Sequence, residues 1–231
     1  MNELVLGIET ATPVCAVALT RNGNFLAEER YELPRLHGEI IVDLIDAMLR
    51  RCAVSTADLA AVAVSLGPGS FTGLRIGLSV AKGIAFADNL PIIGVHTPDA
   101  IAAGIVPLSD SLIITLPSRR GEVYAAPYRN LDGFYHRSGK IAAVEVEAFA
   151  QWAGGARYVA GPGYPALRQA GLDDFIYLKE KFWRVSAEAV ARLGTHKLMM
   201  DETDDLDALE PAYVKAFHTT AKKLPFSRDA E

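Results

Sequence analysis

The densest set of residues able to do chemistry is the run Gly67-Pro68-Gly69-Ser70-Phe71-Thr72-Gly73-Leu74-Arg75-Ile76-Gly77. A glycine-rich turn feeding a helix presents backbone N–H groups and the positive end of the helix dipole, so it can hold an anion. Thr10, Gly67, Gly69 and Ser70 are the candidate anion or nucleotide contacts. The same glycines would also serve a strand-to-helix turn on steric grounds, and their spacing does not separate the two uses. The run is not a Walker A loop, because Leu74 follows Gly73 where that loop needs lysine. His37, His96, His136, His196 and His218 are scattered, with no His-Glu-x-x-His helix and no Gly-x-Ser-x-Gly elbow. Cys15 and Cys52 sit in apolar stretches without zinc spacing and read as buried thiols. The acidic run from Asp201 to Asp207 lacks the spacing of a calcium loop and reads as a solvated loop. These residues give no catalytic set and no metal site.

The elements that must position the run follow from hydrophobic period. Leu4 to Glu9, Val14 to Thr20 and Phe25 to Leu33 read as strands, the last two joined by a turn with Asn22-Gly23 at its centre. From His37 to Cys52, Ile40, Ile41, Leu44, Ile45, Met48, Leu49 and Cys52 recur at helical spacing, with Glu39, Asp43, Asp46 and Arg50 opposite. A buried strand over 59–65 leads into the glycine run, and a second helix is expected over 72–88, capped by Ser70 or Thr72. Gly73, Gly77, Ala81 and Ala85 recur every four positions in it. Helical glycine costs up to about 1 kcal/mol against alanine, so the stripe implies a closely approaching backbone, within this chain or on a partner. The pattern then begins again. Strands over 112–116, 123–128 and 134–138 precede a helix over 146–152, a strand over 157–160, a short helix over 165–171, a strand over 175–178 and a helix over 186–196. The expected division is 1–105, 106–218 and a flexible tail over 219–231.

With 231 residues, 50% of them hydrophobic and 22% charged, the chain is long enough for a large core and is not compositionally disordered. A net charge of −5 argues against unaided grip on nucleic acid. MNELVLGIET lacks a basic segment ahead of an apolar core, and no apolar run reaches the ~18 residues of a membrane helix, so a cytoplasmic protein is expected.

The 67–77 run resembles the signature of the TsaB/YeaZ family. So do Gly7-Ile8-Glu9-Thr10-Ala11-Thr12, Gly94-Val95-His96-Thr97, Arg119-Arg120-Gly121-Glu122-Val123-Tyr124 and Glu210-Pro211-Ala212-Tyr213-Val214-Lys215, in the family's order. The resemblance implies an α/β fold of the actin-like (ASKHA, ribonuclease H-like) kind, duplicated into two similar subdomains. It also implies a scaffold in the complex that forms N6-threonylcarbamoyladenosine at position 37 of tRNAs reading codons that begin with A. In that family the catalytic partner is TsaD, paired through the first two long helices; the ATPase TsaE joins the pair, and tRNA is met through the complex. A homodimer of the chain alone and a nucleotide at the interface of the assembled complex are both compatible with this reading. The expected partner interface is Ile41, Leu44, Ile45, Met48, Gly73, Ile76, Gly77, Val80 and Ala81. The alternative is an actin-like ATPase or a metallopeptidase acting alone. Against it, His37 stands where the TsaD metal motif begins, but Ile41 replaces the second histidine. Glu9 replaces the family's usual aspartate, and Leu116-Pro117-Ser118-Arg119 replaces Ile-Asp-Ala-Arg, removing a carboxylate and an N–H donor.

Overall fold

A computed structural model describes residues 3–32 and 37–214. The expected tail over 219–231, Lys215 and His218 lie outside the described residues. Strand β1 (Leu4–Glu9) turns into β2 (Val14–Arg21), and the Asn22-Gly23 turn returns the chain as β3 (Asn24–Glu32). Asn22 and Gly23 both take positive φ, as a tight hairpin turn requires. Helix α1 (His37–Arg51), β4 (Ala61–Gly67), α2 (Phe71–Ala87), β5 (Ile92–His96) and α3 (Thr97–Ala103) follow. The second half runs β6 (Ser111–Pro117), β7 (Glu122–Leu131), β8 (Phe134–Arg137), β9 (Ala142–Glu145), α4 (Phe149–Trp152), β10 (Tyr158–Ala160), α5 (Tyr164–Gln169), β11 (Ile176–Tyr177) and α6 (Ala187–Met199).

The first sheet has the order β3-β2-β1-β4-β5, antiparallel among β1 to β3 and parallel from β1 through β4 to β5. The second sheet repeats it as β8-β7-β6-β10-β11, with β6 to β8 antiparallel and β10 and β11 parallel to β6. The fold is α/β and duplicated. β9 pairs with β7 as an extra strand that hydrophobic pattern did not predict, and the first turn of the helix expected over 146–152 is a 3-10 turn.

Helices α1 and α2 cover one face of the first sheet. Ile41, Ile45, Met48 and Leu49 of α1 join Leu78, Ala81 and Ala85 of α2 over Leu6, Ile8, Val17 and Val64. Full burial of a side chain such as Ile41 or Met48 contributes about 2 kcal/mol. The opposite face is covered by α6, whose Ala189, Val190 and Ala191 pack on Val5, Ala63 and Ile93. Gly7 leaves room for the α6 backbone at Ala187 and Ala191, and Gly194 leaves room for Ala63. Thr20 Oγ1 meets Thr195 Oγ1 at 3.2 Å, and Glu28 accepts from the Glu188 N–H at 3.2 Å and from Arg184 Nη2 at 3.1 Å. So α6, late in the chain, completes the core of the first sheet.

The acidic run is less free than a solvated loop. Asp204 Oδ2 accepts from the Gly94 N–H at 2.7 Å, and the Asp204 N–H donates to Ile92 O at 2.9 Å, which ties the run to the edge of β5.

The small-residue stripe of α2 faces this chain. A Cβ on Gly73 would run into the Thr10 carbonyl oxygen, and one on Gly77 into Thr10 Oγ1. Gly77→Ala should therefore lose about 1–3 kcal/mol by overpacking. Thr10→Ala removes the offending hydroxyl, so the double variant should recover most of that loss, helped by alanine's better helix propensity. Urea unfolding of the two single variants and the double variant measures this as a coupling energy.

Candidate functional site

The duplicated topology places two glycine-proline-glycine turns opposite each other. Gly67-Pro68-Gly69 joins β4 to α2, and Gly161-Pro162-Gly163 joins β10 to α5, the equivalent step of the second half. Gly67 and Gly161 share the same left-handed backbone, with φ of 96° and 92°. Each turn presses on the end of its half's first strand. A side chain at Gly69 would strike Ala11 O, and one at Gly163 would strike the Leu116 backbone. The Ser70 N–H donates to Ala11 O at 2.7 Å, and the Gly163 N–H donates to Thr115 O at 3.0 Å. Glycine suits the positive φ at Gly67 and Gly161 and the close approach at Gly69 and Gly163.

Between the turns lies a cavity of about 590 Å³, walled by Ala11 and Pro13, by Gly69 and Ser70, and by Pro117 and Pro162. A wider hollow of about 990 Å³ shares Pro117 and Pro162 with it and runs on past Arg119, Glu122, Glu145 and Glu147. Ser70 caps α2 by accepting from the Gly73 N–H at 3.2 Å, so its hydroxyl is already engaged. Arg119 Nη2 donates to the buried Glu122 Oε1 at 2.7 Å. Of the four candidate anion contacts, Gly69 and Ser70 line the smaller cavity, whereas Thr10 is fully buried under α2 and Gly67 is buried below the turn.

Glu9 closes β1 in full burial. Its Oε1 accepts from the Ala11 N–H at 2.7 Å, and Oε2 has no well-placed partner. Burial is the dominant influence and raises its pKa to about 7; the Ala11 amide, the Ser65 hydroxyl and the Thr12 amide pull the other way. Burial, with Glu9 nearby, pushes the Cys15 thiol up to about 11, which makes it a poor nucleophile. A magnesium-bound phosphate chain needs carboxylates in its cleft. None lines the smaller cavity, and no group of three or more candidate metal ligands occurs among the described residues. The arrangement offers backbone and hydroxyl contacts to a polar group, and among the described residues neither cavity assembles a nucleophile with its base.

The expected interface residues divide. Ile41, Ile45, Met48, Gly73, Gly77 and Ala81 are buried against this chain's own sheet and turns, so they present no surface to a partner. Spacing alone could not say whose backbone the small stripe approaches. Leu44, Ile76 and Val80 are half-buried, together with Ile40 and Ile84. Ile76 meets Gly38 at the start of α1, where a methyl would touch it at 3.4 Å. Ile76 thus marks the seam between the two helices, and Ile40, Leu44, Val80 and Ile84 are partly buried against the core below. Ala47 on α1 is exposed, and Gly83 on α2 has nothing within 4 Å of a would-be Cβ. Ala47 carried no signal in the apolar stripe, whereas Gly83 stood next to the small-residue stripe of α2. No helix among the described residues is long and apolar enough to cross a membrane.

Glu9 should leave a pH signature. Its folded value lies above the ordinary 4.5, so the native state favours the protonated form. Stability is full below pH 4.5 and falls as pH rises towards 7, by at most about 3 kcal/mol. Glu9→Gln should flatten this dependence, exceeding the parent's stability at pH 8 and converging with it near pH 4.5. Thermal melts across that range would read it.

The family model for TsaD, tRNA N6-adenosine threonylcarbamoyltransferase, matches residues 31–205. The tRNA threonylcarbamoyladenosine biosynthesis protein TsaB of Escherichia coli is 31% identical over 229 residues, 96% of this chain and 98% of that one. The TsaB of Bacillus subtilis is 30% identical over 129 residues, 56% of each chain. The structure of YeaZ from Pseudomonas aeruginosa superposes with a TM-score of 0.76 at 25% identity, covering 91% of this chain and 100% of that one.

Proposed function

The chain belongs to the TsaB/YeaZ family of tRNA threonylcarbamoyladenosine biosynthesis, and on that premise we propose that it is the pathway's non-catalytic scaffold, docking a TsaD-type subunit on the α1–α2 seam. One observation carries the reading. Ile40 and Leu44 on α1 and Ile76, Val80 and Ile84 on α2 leave apolar surface half-buried on two helices that touch at Gly38 and Ile76, and Gly83 leaves an opening on α2. A partner helix laid there removes the remaining apolar surface from water and approaches the α2 backbone closely at Gly83. A glycine inside a surface helix weakens that helix, and a closely docked backbone supplies a reason for it.

The dry interior of the first half supports the non-catalytic part. Glu9, at the end of β1, is desolvated and held towards its neutral form, a poor ligand for a divalent cation. Catalysis then falls to the partner subunit. This chain fixes that subunit's orientation and shares with it a composite surface for tRNA and for the TsaE-type ATPase.

Gly83→Arg tests the seam without endangering the fold, because the site is open and arginine is the better helix former. Light scattering after size exclusion should show a one-to-one complex of the parent chain with its cognate TsaD-type subunit. Gly83→Arg with Ala47→Glu should weaken the pairing at least about tenfold, the effect of some 1.4 kcal/mol. Unchanged pairing would move the interface elsewhere, and no complex with the parent chain would end the scaffold reading.

A further inference from the structure

A third cavity, of about 580 Å³, shares no lining residue with the cleft. Several elements build it: β5 brings His96, α3 brings Asp99, β7 brings Tyr128, β8 and the turn after it bring Arg137 and Lys140, and α6 brings His196 and Lys197. Asp99 is already committed, since its Oδ1 accepts from Tyr128 OH at 2.6 Å and pairs with Arg137 Nε at 3.1 Å. Lys197 Nζ is held by Gly94 O at 2.9 Å. Lys140 is exposed and has no ion pair among the described residues. His96 stands in the wall with Nδ1 buried and unpartnered. Burial pushes its imidazole down and Asp99 pulls it up, while Arg137 and Lys197 push it down further. The positive charge of the wall therefore comes from Arg137, Lys140 and Lys197. The carboxylates facing them are Asp99, already engaged, and Glu202.

We propose that this cavity is a phosphate-binding site, its ligand a free phosphate ester or a phosphate of an RNA strand. Three cations on two separate segments, β8 with its following turn and α6, suit an anion with several acceptor oxygens spread in space, whereas a carboxylate is satisfied by a single arginine fork. The volume lies within the ordinary range of small-ligand sites, about 300–1,000 Å³. The local cationic wall contrasts with the chain's net charge of −5, so a polyanion drawn to this protein finds a favourable patch here.

The site is testable on the isolated chain, independently of any pairing. The carbon-bound imidazole protons of His196 and His96 would be followed by NMR during titration with inorganic phosphate, with sodium chloride at matched ionic strength, and with a tRNA transcript. A saturable shift with phosphate or tRNA but not chloride, weakened about tenfold by Lys140→Glu, is the expected result. A response to tRNA at far lower concentration than to phosphate assigns the RNA strand, and a response to phosphate alone assigns the free ester. An equal shift with chloride, no shift, or indifference to both Lys140→Glu and Lys140→Gln overturns the proposal. Lys140 makes no ion pair among the described residues, so both variants should fold.

Discussion

The structure depends on backbone meeting backbone without side chains between. At Gly69 and Gly73 the start of α2 lies directly on the Ala11 and Thr10 backbone, and at Gly161 and Gly163 the second half repeats the contact on Thr115 and Leu116. These approaches bring the two turns to face each other across the cleft and fix the direction in which α2 leaves the sheet. The axis of α2 sets the seam with α1, so the proposed docking surface is aimed by glycines packed against this chain's own backbone.

Much of this was legible in residue order. The period of α1, the Asn22-Gly23 hairpin, the cap at Ser70 and the restart of the strand pattern near residue 111 all report local forces, and local forces are what a sequence displays. The small stripe of α2 was legible as a demand for close approach, but its addressee was not. Gly77 records that something comes near, and only the fold says that it is Thr10. β9 was missed because Ala142 to Glu145 is short and its pairing with β7 is a tertiary event. The anchoring of Asp204 on β5 was missed for the same reason: 110 residues separate Asp204 from Gly94.

The cleft shows what the departure at Glu9 means physically. A carboxylate that works on phosphate or metal must be wet or paired, and Glu9 is neither, so its charge is suppressed by the interior around it. The turns that could cradle an anion persist on both sides, while the acid that would accompany them has become part of the core. This local chemistry is consistent with the proposed role, in which the chain keeps the duplicated frame and its outer helices serve association.

The return of α6 to the first sheet imposes an order in time. Val5, Ala63 and Ile93 leave the ribosome early, yet their cover, Ala189 to Ala191, is made only after the whole second half. At about 5–20 residues per second, the uncovered face waits roughly 5–20 s for its lid. During synthesis the nascent first half is therefore a client for any chaperone that holds apolar sheets, and a message cut short before α6 yields a fragment that cannot close its own core.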